Sequence, residues 1–222
     1  MKRQIFRTGD GTLTLRLEDW DEQYHSKHGA LQEAFHVFIK HGLHHLTTTT
    51  PYILEMGFGT GLNALVSYAE AKSHQLNINY TGVEAFPVKK EEWEALEYGT
   101  ILPRNDLETV IGAIHDAPWE QKTPIADCFT LTKHQMDFFD FESSINFDLV
   151  YFDAFGPRVQ PELWTVEIFA KMYKVLRAGG ILVTYSAKGS VRRAMLEVGF
   201  KVERLPGPPG KREMLRATKP TL

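Results

Sequence analysis

The sequence predicts an α/β fold, a doubly wound and mostly parallel sheet that ends in a C-terminal antiparallel hairpin. Three observations predict it. From Tyr52 onward, apolar runs of strand length alternate with helical patterns, the order that builds parallel strands joined by right-handed crossovers. A glycine-rich turn, Gly57-Phe58-Gly59-Thr60-Gly61, separates the first of these strands from its helix. Near the end, Pro206-Gly207-Pro208-Pro209-Gly210 separates two strands by a turn instead of a helix.

Thr12 to Leu17 alternates polar and apolar side chains, as a short edge strand does. Gly29 to Leu43 has helical spacing through Leu31, Phe35, Phe38 and Ile39, and Thr47 to Pro51 is a linker. Tyr52 to Met56 is a buried strand, followed by a helix from Leu62 to about Ser73. Asn79 to Glu84 is a second strand. Pro87 suits the first turn of a helix reaching Tyr98. The stretch from Thr100 to Asp127 is less regular. Cys128 to Gln135 and Phe147 to Phe152 are the third and fourth strands. A helix from Pro161 to Arg177 ends at Gly179-Gly180, and Ile181 to Tyr185 is the fifth strand. Ser190 to Val198 is helical, and Phe200 to Leu205 pairs with Arg212 to Thr218 as the hairpin. Residues 1–50 then form an extension packed on a core domain of residues 51–222.

The 222 residues are 43% hydrophobic and 24% charged, which suits one globular unit with a sizeable core. No apolar run approaches the ~20 residues that span a bilayer. The N-terminus lacks the apolar stretch of a secretory leader, and Cys128 is the only cysteine. These features point to a cytoplasmic protein with no membrane partner. The net charge of −3 is uneven: from Ser186 on there are nine basic and three acidic residues on an otherwise acidic body. That tail suits contact with nucleic acid.

Five constellations carry candidate chemistry, all at the carboxyl ends of strands, where open α/β sheets bind ligands. The loop Gly57, Gly59 and Gly61 has Gly-x-Gly-x-Gly spacing, unlike the dinucleotide fingerprint, and Glu55 precedes it. A carboxylate there repels a pyrophosphate and suits a cation such as the amino group of S-adenosylmethionine. Glu84, closing the second strand, suits ribose hydroxyls, with Phe86 over one face of the adenine. After the third strand, Asp137 or Asp140 suits the adenine amino group, and the register leaves both open. Asp153, in Asp153-Ala154-Phe155-Gly156-Pro157, is placed to hydrogen-bond an amine, orient its lone pair and take its proton. Lys188, Arg192 and Arg193, with Lys211 and Arg212 in the hairpin, suit phosphates. His41, His44 and His45 lack a matching distant ligand set, so no metal is expected. Trp20, Trp93, Trp119 and Trp164 read as packing residues, and Cys128 as a small buried hydrophobe.

These runs resemble the MnmC-type tRNA methyltransferases. The resemblance rests on Ile53 to Asn63 and on Tyr151 to Pro157 followed by Pro161-Glu162-Leu163-Trp164-Thr165. It extends through Thr184 to Arg193, Gly207 to Met214, and Tyr24-His25-Ser26 with Gly29-Ala30-Leu31 and Glu33. Gly156 stands where many relatives carry Ser or Ala.

The resemblance implies a class I, Rossmann-like methyltransferase with S-adenosyl-L-methionine as cofactor. Glu55, Gly57, Gly59, Gly61, Asn63, Glu84, Phe86 and Asp137 would hold the cofactor. Asp153 and Phe155 would meet the acceptor. The implied reaction is N-methylation of 5-aminomethyl-2-thiouridine at the tRNA wobble position. The bifunctional members carry an additional FAD-dependent oxidase, so a chain ending at Leu222 reads as the standalone form, supplied by another enzyme. Two other readings share the fold: an aminopropyltransferase of the spermidine synthase type, and a non-catalytic tRNA-binding module.

Overall fold

A computed structural model of the chain describes residues 2–221. Eleven strands and six α-helices are seen among them. An N-terminal antiparallel sheet holds β1 (Arg3–Arg7), β2 (Leu13–Leu17) and β3 (Glu22–Gln23). The short helix α1 (Ala30–Ala34) follows. The main sheet alternates strands with crossovers: β4 (Tyr52–Met56), α2 (Leu62–His74), β5 (Ile78–Val83), α3 (Lys90–Glu94) and α4 (Leu107–Asp116). Then come β6 (Thr123–Ala126), β7 (Phe129–His134), β8 (Phe147–Phe152), α5 (Val166–Val175) and β9 (Leu176–Thr184). The chain ends with α6 (Gly189–Val198), β10 (Lys201–Pro206) and β11 (Glu213–Thr218).

The main sheet has the order β10-β11-β9-β8-β4-β5-β7-β6. Strands β7, β5, β4, β8 and β9 are parallel. The chain winds outward one way from β4 through β5 and β7, then returns to β8 and winds the other way. The order therefore reverses between β4 and β8, which places a ligand crevice beyond their carboxyl ends. β11 inserts antiparallel between β9 and β10, as the predicted hairpin requires.

Buried strands explain the double winding. Along β8, Leu149 and Tyr151 enter the core under α2 and α4, while Val150 and Phe152 enter the core under α5 and α6. The N-terminal segment joins the first of these cores through Val37, Phe38 and Leu43. No helix among the described residues is long and apolar enough to cross a membrane.

Several elements differ from expectation, with identifiable reasons. The helix foreseen over Gly29–Leu43 is broken into α1, a π-helical turn at Phe35–Lys40 and a 3₁₀ turn at Leu43–His45. Val37, Phe38 and Ile39 are all buried there, so three successive side chains enter the core, not one stripe.

Pro87 does not open a helix. Arg3 takes the carbonyl oxygens of Phe86 and Pro87 at 2.7 and 3.4 Å, and α3 is only Lys90–Glu94. Gly179-Gly180 does not cap a helix either. α5 ends at Val175, where Lys219 Nζ caps the carbonyls of Tyr173 and Leu176 at 2.8 and 2.7 Å, and the glycines are an irregularity inside β9.

The irregular stretch Thr100 to Asp127 holds α4 and the edge strand β6, whose Pro124 fits an edge. β1 was not foreseen. Cys128 is partly exposed, not buried.

Phe169 on α5 is fully buried among Phe152, Trp164 and their neighbours and is not among the residues lining the crevice. Phe169→Ala is expected to cost about 3–5 kcal/mol. Urea unfolding of the variant beside the parent chain measures this.

Candidate active site

The crevice is a cavity of about 690 Å³ at the switch point between β4 and β8. Its floor is the glycine loop. Gly57, Gly59 and Gly61 have φ of +97°, +51° and +75°. At Gly57 a Cβ would lie 2.6 Å from the Asp153 carbonyl oxygen, so this position requires glycine for the β4 and β8 loops to meet. The Asp153 N–H donates to the Met56 carbonyl at 2.9 Å, continuing the pairing of the two strands into their loops. From below, His115 Nε2 donates to the Thr60 carbonyl at 3.1 Å.

Two carboxyl groups meet on this floor through one amide. Asn63, in the first turn of α2, donates from Nδ2 to Glu55 Oε1 and to Asp153 Oδ2, both at 2.8 Å. Tyr80 on β5 donates its hydroxyl to Glu55 Oε2 at 2.8 Å. The Asn63 Oδ1 acceptor is buried without a partner among the described residues.

Burial pushes the Glu55 carboxyl well above its ordinary range, and the neighbouring Asp153 adds to this. Burial also pushes Asp153 up to about 7, helped by Glu33 and opposed by the Asn63 hydrogen bond and Lys211. Two recessed acids beside an orphaned acceptor are short of positive charge. A ligand ammonium or sulfonium supplies it, and an ammonium also supplies the donor Asn63 Oδ1 lacks. The methionine part of S-adenosyl-L-methionine fits this set.

The sugar and base end is built on β5 and β7. Glu84 Oε2 accepts the Gly59 N–H at 2.9 Å and its Oε1 accepts the Phe86 N–H at 2.8 Å, so the carboxylate fixes both loops at the rim. Each oxygen retains a lone pair for a hydroxyl. Phe86 is 61% exposed, an apolar ring at the mouth free to cover a flat ligand. Asp137 lines the cavity while accepting the Phe139 N–H at 3.0 Å. Asp140 is exposed and outside the lining.

The opposite wall comes from the N-terminal segment, whose role was not foreseen. Trp20, Tyr24 and His25 line the cavity. Trp20 and Tyr24 meet the Phe155 ring edge-on, with centroids 5.7 and 5.0 Å away. Trp20 is thus part of the crevice wall. Trp164, by contrast, packs inside and donates its indole N–H to the Phe155 carbonyl at 2.8 Å. Burial pushes His25 down to about 4, so this imidazole is neutral at pH 7. Arg3 seals the wall to the β5 loop through Glu92 at 2.8 Å and the Phe86 carbonyl.

The foreseen basic set divides. Lys211 does not stand free for phosphate: it pairs with the buried Glu33 and lies over the Tyr185 ring, 3.8 Å from its centroid. Arg192 is partly buried. Lys188, Arg193 and Arg212 are exposed, lie outside the cavity lining, and make no ion pair among the described residues. Tyr24 and His25 stood in the sequence only as part of the resemblance, not as site residues, and they line the cavity. Tyr80, inside a strand, carried no signal.

A family model described as S-adenosyl-L-methionine-dependent methyltransferase matches residues 129–220. The curated relatives include the tRNA 5-methylaminomethyl-2-thiouridine biosynthesis bifunctional protein MnmC of Polaromonas naphthalenivorans. It is 31% identical over 88% of this chain and 32% of its own length. The protein of the same name from Burkholderia thailandensis is 32% identical over 95% of this chain and 34% of its own length. In fold, the chain is similar to the crystal structure of MNMC2 from Aquifex aeolicus. The TM-score is 0.77 at 24% identity, covering all of this chain and 73% of that one. It is also similar to spermidine synthase from Thermotoga maritima, with TM-score 0.59 at 15% identity, covering 98% of this chain and 69% of that one.

Fold, acidic floor and family model together define the class, an S-adenosyl-L-methionine-dependent methyltransferase. Within that class the chain is similar, along 88% and 95% of its length, to the two proteins named MnmC. It spans about a third of the length of the curated relatives it matches.

The raised Asp153 sets a pH dependence. Unfolded, the carboxyl loses its proton near 3.8; folded, it keeps it to about 7. Between those values the folded state binds the extra proton, so Asp153 lowers stability as pH rises through the window. Asp153→Asn removes that slope and leaves the histidine contributions in place. Thermal melts from pH 4 to 8 are expected to show the parent losing stability relative to the variant as pH rises. Parallel curves would contradict this.

Proposed function

We propose that the chain transfers a methyl group to the aminomethyl nitrogen of 5-aminomethyl-2-thiouridine at the tRNA wobble position, giving 5-methylaminomethyl-2-thiouridine. The observation that carries the proposal is the Asp153 carboxyl, poised near pH 7 on the crevice floor beside an aromatic wall. The names of these relatives supply the substrate class.

The cofactor, when bound, supplies a methyl group on a positively charged sulfur. The residues of the chain do the rest. Glu55, Asn63 and the glycine loop hold the amino-acid end, and Glu84, Phe86 and Asp137 the nucleoside end. Phe155, Trp20 and Tyr24 form an aromatic wall against which a flat base turned out of the anticodon stack would lie. An amine attacks only through its lone pair, so the acceptor must be neutral. Asp153 accepts a hydrogen bond from the amine N–H, which aims the lone pair, and takes the proton released as the new C–N bond forms.

A diamine pocket, as an aminopropyltransferase needs, is less well served here. Glu22 is paired with Arg158 at 2.8 Å and Glu33 with Lys211, leaving neither for a second ammonium. Exposed Lys188, Arg193 and Arg212 suit the phosphates of a tRNA. The acceptor would come from a reaction that leaves a free aminomethyl group on the uridine, in the cytoplasm where tRNA is modified.

Incubating the protein and S-adenosylmethionine with tRNA lacking the final methyl, then weighing wobble nucleosides by mass spectrometry, is expected to show gain of one methyl group. Asp153→Asn is expected to lower kcat about 10²-fold or more, beyond the loss of cofactor affinity that follows from removing one of the two acids that meet the cation. No methyl gain with the parent protein rejects the substrate.

Arg193→Glu is expected to raise KM for tRNA and to reduce the salt slope of tRNA binding by about one. Calorimetric cofactor affinity should be unchanged.

A further inference from the structure

One cluster lies outside the crevice and plays no part in methyl transfer. His44, which sequence reasoning set aside for want of distant ligands, meets Glu70 and His74 of α2. Glu70 and His74 are four residues apart and therefore share one helix face. His44 is held in the 3₁₀ turn Leu43–His45, anchored by the buried Leu43. His44 Nε2 lies 2.5 Å and His74 Nε2 3.2 Å from Glu70 Oε2, and the three donor atoms lie within 4.8 Å of one another.

We propose that His44, Glu70 and His74 form a binding site for a divalent transition-metal ion, with zinc the best fit. Two imidazole nitrogens and one carboxylate oxygen are a donor set that suits zinc. Donors around a tetrahedral zinc stand about 3.3 Å apart, close to the spacing of His74 and Glu70. His44 Nε2 would have to draw back from 2.5 Å to that spacing when the ion binds.

The Glu70 side chain is only 14% exposed, and no Lys or Arg pairs with it among the described residues. A mostly buried carboxylate between two imidazoles thus lacks a permanent countercharge, which a divalent cation provides. The histidines are 41% and 56% exposed, leaving room for water as fourth ligand. The cluster stands roughly 10–17 Å along α2 from Asn63, by helix rise. The ion would staple the N-terminal segment to the core without entering the crevice.

The test is titration of tag-free, chelator-stripped full chain with zinc chloride, read by calorimetry and thermal melting. One zinc per chain and a rise in melting temperature are expected. His74→Ala and His44→Ala should each weaken binding about tenfold or more and abolish the rise. Both positions are surface-exposed, and circular dichroism checks that the variants fold. His36→Ala, at the neighbouring His36 and His41 rings 4.9 Å apart, should bind as the parent does. The proposal is overturned if the parent binds no zinc at submillimolar concentration. It is equally overturned if His74→Ala binds unchanged, or if His36→Ala, and not His74→Ala, loses the ion.

Discussion

The side-chain amide of Asn63 spends both of its protons on acids, one on Glu55 and one on Asp153. Those two acids end neighbouring parallel strands whose loops touch at Gly57. The distance between them, and so the place where opposite ends of a cofactor and an acceptor could meet, follows from one residue in the first turn of α2. The rest of the crevice is arranged around that bridge. Tyr80 holds the far oxygen of Glu55, Glu84 fixes the glycine loop to the β5 loop, and Tyr185 donates to the Ala154 carbonyl beside Asp153 at 2.8 Å. Two recessed carboxyl groups sharing an amide favour the protonated state, and their charge is recovered when a cation arrives.

That arrangement opposes stability. Hydrophobic residues in the same place would remove the cost of burying acids, and the fold compensates through ordinary packing on both sheet faces. The N-terminal segment contributes to both tasks. Its apolar residues complete one core, while Arg3, Trp20, Tyr24 and His25 close the crevice. Glu33 and Lys211 tie that segment to the hairpin and place opposite charges near Asp153, tuning it in opposite directions.

What could be read from sequence was whatever local chemistry dictates. The strands β4, β5, β7 and β8 and the hairpin were legible because apolar runs and turn residues mark them. Glu55, Asn63, Glu84, Asp137 and Asp153 come together at the cavity because strand ends converge by topology alone. The misread elements depend on partners distant in sequence. At Pro87 the carbonyls are taken by Arg3, more than eighty residues away, and the end of α5 is capped by Lys219. Lys211 looked like a free cation because Glu33, its partner, lies in the extension. His44 looked solitary because its companions sit on another helix.

The central claim is that the crevice floor holds acids that release a proton to solvent when a cationic ligand binds. The most direct measurement is calorimetric titration with S-adenosylmethionine at pH 7 in buffers of different ionisation enthalpy. Heat that varies with buffer in the sense of net proton release is what this account predicts. Buffer-independent heat, or net proton uptake, would contradict it.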